Sequence, residues 1–213
     1  MFTFDDRGLG ESLADYQETW DRQRALHAAV AGGAPGQVLY VEHSPVYTAG
    51  RRTTAEQRPQ DGTPVIDVDR GGLITYHGPG QLVGYPIVQL REGVGVVDYV
   101  RALEAAVIEL LTGYGLTSGR VEGRTGVWLP ADGDRPERKI CAIGVRVARR
   151  TTMHGFALNV LSSAERFSNI IACGIADAGV TSIVEELPGQ WSVKAVADDL
   201  RTPLTRALDP ILG

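Results

Sequence analysis

Apolar residues recur at helical spacing in three stretches of the chain. Leu13, Tyr16 and Trp20 form one stripe, opened by a capping-box pattern at Ser12-Leu-Ala-Asp15 and closed by Gly32-Gly33. Val96 to Tyr114 keeps apolar residues at 96, 97, 100, 103, 107, 110, 111 and 114, which predicts a second helix. Ser192 to Leu208 predicts a third, which Pro203 is expected to kink or split by removing an N–H and crowding the preceding turn. Between these lie short apolar runs of strand character. QVLYVEH (37–43) reads as a strand, and 65–69, 72–76 and 83–89 as shorter ones broken by glycines and Pro79. Segments 126–130 and 138–149 read as a hairpin around ADGDRP, followed by a strand at 154–160. Residues 43–64, rich in Pro, Thr and Gly, read as a loop. Strands and helices that do not strictly alternate predict an α+β fold. The length of 213 residues fits one domain, 1–213, with a smaller C-terminal part from about 162 that includes short helical pieces.

Composition narrows the classes of function. The chain carries no apolar run long enough to span a membrane, and MFTFDDRGLG lacks the basic and apolar segments of a signal peptide. Two cysteines, Cys141 and Cys173, are too few for a disulfide framework, so a cytoplasmic location with free thiols is expected. A net charge of −5 argues against general nucleic-acid binding. Of 21 basic residues, only Lys139 and Lys194 are lysines. Arginine serves equally for a solvated charge but not where a titratable amine is needed, so a retained lysine draws attention.

Three segments could carry chemistry. RGGLITYHGPGQ (70–81) combines four glycines with Arg70, Thr75, Tyr76 and His77, a backbone open to close ligand approach and rich in hydrogen-bonding groups. It fits neither the Rossmann nor the P-loop pattern, and a tight hairpin with an incidental histidine is the bland reading. In RKICAIGVRVARR (138–150), strand alternation places Lys139, Cys141, Ile143, Val145 and Val147 on one, more apolar face. Lys139 then sits at the end of the face expected to be buried, where desolvation favours the neutral amine; a lysine snorkelling from a strand end is the alternative. Cys173, in SNIIACGIADAG, is either a small buried hydrophobe or a thiol presented at a bend, with Cys141 the rival thiol. The four histidines are scattered without metal-ligand spacing, so no metal site is expected.

Taken in order, Arg70-Gly-Gly-Leu-Ile-Thr-Tyr-His-Gly-Pro-Gly-Gln81, Lys139-Ile-Cys-Ala-Ile-Gly144, Met153-His-Gly-Phe-Ala-Leu-Asn159 and Ala172-Cys-Gly-Ile175 resemble the lipoyl(octanoyl) transferase family, as does Glu42 to Arg51. The resemblance runs from about Tyr16 to Ile183. It implies an α+β catalytic domain like those of biotin and lipoate protein ligases, with mixed sheets flanked by helices. It implies transfer of an octanoyl group from octanoyl-acyl carrier protein to a lysine of lipoyl domains, as in 2-oxo acid dehydrogenases and the glycine cleavage H protein, in lipoate biosynthesis. No metal, ATP or other cofactor is implied, because the substrate arrives activated. Cys173 matches the cysteine that becomes the acyl thioester and Lys139 the lysine that lowers its pKa. Arg70, Gly71, Gly72, Leu73, Ile74, Thr75, Tyr76 and His77 match one segment lining the acyl group; Ala142, Ile143 and Gly144 match a second, and Gly155, Phe156 and Ala157 a third. Ala172 stands where many members have proline, and Cys141 where a small residue is common.

That chemistry suits the residues. An ammonium beside a thiol favours the thiolate, and alternating donor and acceptor would give ping-pong kinetics. Backbone N–H groups, with His77 or His154, are candidates for holding the oxyanion. Because acyl carrier proteins and lipoyl domains are acidic, Arg51, Arg52, Arg146, Arg149 and Arg150 are candidates for docking them. The competing readings are an ATP-dependent ligase on the same fold, which has no use for Cys173, a non-catalytic acyl or lipoyl-domain binding protein, and a cysteine hydrolase, for which no His and Asn or Asp partners can be assigned.

Overall fold

The computed structural model describes residues 2–59, 62–163, 167 and 178–213. Its frame is a large mixed sheet. In chain order its strands are β1 (Phe2–Arg7), β2 (Gly36–Val41), β6 (Gln81–Ile87), β7 (Gly119–Val121), β8 (Arg124–Leu129), β9 (Arg138–Ala148), β10 (Thr151–Asn159) and β11 (Gly179–Val180). In space they run β1-β2-β6-β10-β9-β8-β7, with β11 pairing β9. A second, small sheet orders β4 (Val65–Asp67), β3 (Val46–Ala49) and β5 (Thr75–His77). Strands and helices are thus mixed as an α+β fold requires.

Each face of the large sheet is covered by what its side chains demand. On one face, Leu39, Val41, Val83, Tyr85 and Ile87 pack with Tyr16, Trp20 and Val30 of α1 (Tyr16–Ala31) and with Val46 of the small sheet. On the other, Val38, Tyr40, Leu82 and Leu158 pack with α2 (Val96–Gly113) and α4 (Val193–Leu208). A further short helix, α3, spans Ile183–Glu186. Glu104 is fully buried on α2, where it accepts from Arg101 Nη1 at 2.6 Å, Arg120 Nε at 2.8 Å and the Gly126 N–H at 3.1 Å. One carboxylate thereby ties α2 to the chain around β7 and β8.

Several expectations need correction. The first helix starts three residues beyond Ser12: its cap is Asp15, which accepts from the Glu18 N–H at 2.9 Å, because Ala14 bridges to the chain at His43. Residues 43–64 are not all loop, since β3 lies within them and is completed by pairing with β4 and β5. The strand expected at 72–76 is instead β5. α4 runs unbroken through Pro203, which is buried on the same side as Val196, Leu200 and Leu204; packing against α2 outweighs one missing hydrogen bond. β1 and β7 have no counterpart in the expected pattern. Among the described residues, no helix is long and apolar enough to cross a membrane.

Candidate active site

Arg70 organises the glycine-rich segment. Its guanidinium is buried and donates to the carbonyls of Gly71 (2.9 Å), Leu73 (2.8 Å) and Thr48 (2.7 Å), and to Thr48 Oγ1 (3.0 Å). It turns the loop 70–73 around itself against β9. Only glycine fits at position 144, since a Cβ there would lie 2.9 Å from Arg70 Cδ and 3.3 Å from the Gly71 carbonyl. Glu42 pins the following turn, accepting from the N–H groups of Gly80 (2.8 Å) and Gly10 (2.9 Å).

Together these elements bound a cavity of about 400 Å³. Its lining includes Arg70, Gly71, Gly72, Leu73, Thr75, His77, Lys139, Ala142, Ile143, Gly144, His154, Gly155, Phe156 and Ala157. The three segments singled out in the sequence therefore converge on one space. Ile74 and Tyr76 do not line it. They alternate to the other side and pack with Tyr47 and Phe167, as strand geometry requires of residues that alternate with Leu73, Thr75 and His77. Tyr16, Arg52, Val83, Tyr85, Val96, Val100, Gly123, Arg124, Thr125 and Val145 also line the cavity, and the sequence reading missed them as pocket residues. Val96 and Val100 had shown only helical periodicity, and the others lay outside the segments singled out or, like Val145, were read only as strand.

Lys139 reaches the cavity through a β-bulge. Val127 pairs with Cys141 but Trp128 pairs with Lys139, so Ile140 is an extra residue on β9. The bulge breaks the expected alternation: Ile140 and Cys141 both enter the main core, while Lys139 lines the cavity. Its Nζ lies 4.6 Å from the Trp128 ring centroid, a cation–π contact. A Cβ on Gly126 would stand 3.5 Å from Lys139 Cε, so the glycine is where the chain backs the amine. The Lys139 carbonyl accepts from the Thr181 N–H at 3.0 Å, and Val180 pairs with Lys139 across β11. Cys141 is fully enclosed, and burial pushes its thiol far above the ordinary range. Cys173, with Ala172 and Ile175, lies outside the described residues.

The two cavity histidines are neutral lone-pair acceptors. His77 belongs to a directional chain that begins at a backbone carbonyl. Asn159 Nδ2 donates to the Thr181 carbonyl (2.9 Å), Gln81 Nε2 donates to Asn159 Oδ1 (2.9 Å), and His77 Nδ1 donates to Gln81 Oε1 (2.8 Å). Because a carbonyl only accepts, every later hydrogen is fixed. His77 Nε2 is therefore bare and accepts from the Thr48 hydroxyl at 3.3 Å. Burial holds the His77 pKa down at about 3.

His154 breaks strand rules. It sits on β10 with φ 59°, and it lies against Trp20 on the same side of the sheet that the preceding Met153 packs on. Strict alternation would turn it away; the left-handed backbone re-aims it. The β10–β6 pairing resumes only at Phe156↔Gly84, and the His154 N–H donates instead to Gln23 Oε1 at 2.9 Å. His154 Nε2 donates to Asp69 Oδ1 at 2.8 Å, and Arg146 pairs with the other Asp69 oxygen. The His154 hydrogen bond and the charges beside it hold Asp69 at about 2, while burial lowers the His154 pKa. Arg146, a docking candidate from sequence, is thus paired with Asp69 while its side chain stays partly exposed. With these partners each histidine spends its ring N–H inside the protein, His77 on Gln81 and His154 on Asp69. Among the described residues no group of three or more His, Cys, Asp or Glu could hold a metal ion.

Comparison with known proteins gives the family and the fold. Residues 15–205 match the lipoyl protein ligase A/B catalytic domain. An octanoyltransferase of Cutibacterium acnes is 61% identical over 188 residues, covering 86% of this chain and 69% of that one. An octanoyltransferase of Leifsonia xyli is 58% identical, covering 88% and 84%. The bipartite lipoate protein ligase of Thermoplasma acidophilum superimposes with a TM-score of 0.73 at 16% identity, over 98% of this chain and 83% of that one. That last likeness concerns the fold.

Proposed function

The chain belongs to the lipoyl protein ligase A/B catalytic-domain family, and from that premise we propose that it is an octanoyltransferase of lipoate biosynthesis, working through a cysteine thioester. The observation that carries the reading is the cavity that brings loop 70–73, Thr75 and His77, residues 142–144 and 155–157, and Lys139 together, in a chain whose curated relatives at 58–61% identity are octanoyltransferases. The donor is octanoyl-acyl carrier protein. The acceptor is a lysine of a lipoyl domain in a 2-oxo acid dehydrogenase or the glycine cleavage H protein.

Cys173 is the nucleophile in this reading. Cys141 is unsuited to the role, since its buried thiol resists ionisation. Val180, seven positions after Cys173 in the sequence, pairs with Lys139, the residue assigned as its partner. In the first half-reaction the Cys173 sulfur bonds to the octanoyl carbonyl carbon as the carbon–sulfur bond to the carrier breaks. The proton leaving Cys173 passes by way of Lys139 to the departing thiol. In the second, the acceptor lysine amine attacks the enzyme thioester, the amide forms, and Cys173 regains its proton. With both histidines acting as acceptors, the oxyanion is held by the Lys139 ammonium and by backbone N–H groups of the glycine-rich walls.

Intact-mass measurement after mixing with octanoyl-acyl carrier protein tests this. The wild type gains one octanoyl group without ATP and loses it to a lipoyl domain. Cys173→Ser gains none, whereas Cys141→Ser behaves like wild type. Acylation retained in Cys173→Ser and lost in Cys141→Ser would identify the wrong thiol; a strict requirement for ATP would identify a ligase.

A further inference from the structure

The Lys139 amine lies over the face of Trp128, 4.6 Å from the ring centroid, and the two residues pair across β8 and β9. Among the described residues no carboxylate, hydroxyl or carbonyl accepts a hydrogen bond from that amine, so the indole is the partner the structure gives it. The ring is itself fixed. Trp128 is buried, and its Nε1 donates to the Arg124 carbonyl at 3.2 Å. The indole N–H is thus engaged along β8, and the π face is what remains for the amine. The Arg124 guanidinium lies 5.8 Å from the same centroid, but its charge is met by Glu137 at 4.0 Å.

An aromatic face differs from a carboxylate in what it leaves behind. Both attract an ammonium. A carboxylate would also cancel the charge, engage N–H groups and offer a site for the proton, whereas an indole ring carries no charge and takes up no proton. An amine held over a ring keeps its field for a neighbouring thiolate and its N–H donors for an acyl oxygen. Lys139 faces the cavity in this state. We propose that Trp128 is the positioning residue for Lys139: its indole face fixes the ammonium at the cavity wall and leaves charge and donors to the reacting groups. The inference rests on the acyl-transfer reading above.

Two readouts test it. The first needs no chemistry. Lys139 and Lys194 are the only lysines, so isotope labelling of lysine Cε gives two magnetic-resonance signals. The ring current above the indole should place that of Lys139 upfield of that of Lys194, and Trp128→Leu should bring the two together. The second is the rate of enzyme acylation at saturating octanoyl-acyl carrier protein. Trp128→Leu should lower it by about tenfold with KM little changed, and Trp128→Phe, which keeps an aromatic face, by about threefold. Successively more fluorinated tryptophans cover the case in which leucine at this buried site prevents folding. They keep the shape of the ring and drain charge from its face, so the rate should fall step by step. In the same series made in Trp128→Phe, where only Trp20 and Trp191 carry fluorine, it should stay level. An unshifted Lys139 signal, or a wild-type rate that ignores fluorination, would overturn the inference and leave acyl transfer intact. A wild type that is never acylated would overturn the transfer reading, and the lysine signal alone would then decide this one.

Discussion

In the proposed transfer, Lys139 has two separable duties. Its charge can hold a thiolate, and its titratable proton can travel. Lys139→Arg keeps the first and abolishes the second, because a guanidinium stays protonated. It also places a larger planar group beside Trp128 and Gly126, where the amine is backed closely, and a displacement near 1 Å can cost about a hundredfold in rate. Lys139→Arg should therefore lose most turnover while Cys173 remains readily alkylated at low pH; Lys139→Ala should lose both. The pH dependence of Cys173 alkylation, measured beside transfer rates, decides it. Near wild-type turnover in Lys139→Arg would leave only the electrostatic duty, and in Lys139→Ala would remove the pairing altogether.

Elements show where the sequence was legible. The three long helices announced themselves by periodicity, since burying one stripe of a cylinder leaves a regular trace. The glycine-rich segment and the strand from 138 were legible for the same reason: backbone freedom and alternation are written in residue types. The departures were not. Nothing in RKICAIG marks Ile140 as the bulged residue, because that register is set across the sheet by β8. Nothing in TMHGF marks His154 as left-handed, because the partner of its N–H lies on α1, 131 residues away in sequence. The β9–β10 hairpin offers a further case. Its two-residue turn is Arg149-Arg150, at φ 52° and 59°, where Asn-Gly is the usual choice. Both arginines are exposed, and an acidic carrier would meet two positive charges at the tip. Arg149→Asn with Arg150→Gly should raise stability by about 1–2 kcal/mol and slow enzyme acylation at low salt. Denaturation midpoints and acylation rates across ionic strength measure the two effects. A gain in stability with acylation unchanged at every salt concentration would remove the arginine tip from docking.

At the scale of the whole molecule, buried neutral histidines make stability depend on pH. Burial holds His43 at about 4 and His77 at about 3, against an ordinary 6.5. The unfolded chain takes up those protons as pH falls through 6.5 while the folded one does not, so the stabilisation is complete above about 6.5 and is lost progressively down to 4 and 3. Denaturation midpoints between pH 8 and 4.5 should begin to fall near 6.5, and His43→Gln should flatten that slope; an unchanged slope would place the acid sensitivity elsewhere. The cavity wall at His77, by contrast, depends on hydrogen-bond direction as well as on the Arg70 charge. From the Thr181 carbonyl through Asn159, Gln81 and His77 to Thr48, each hydrogen points the same way, and Arg70 donates into Thr48 at the far end. Such a chain obeys a parity rule. Asn159→Asp or Gln81→Glu would preserve every shape and most contacts, yet remove the hydrogen that the amide passes on. The mismatch would fall on the Thr181 side of the change, where two acceptors would face each other, while the links from Arg70 through Thr48 and His77 keep their hydrogens. What these positions tolerate is therefore governed by the count of hydrogens they pass along, and size is a poor guide to it.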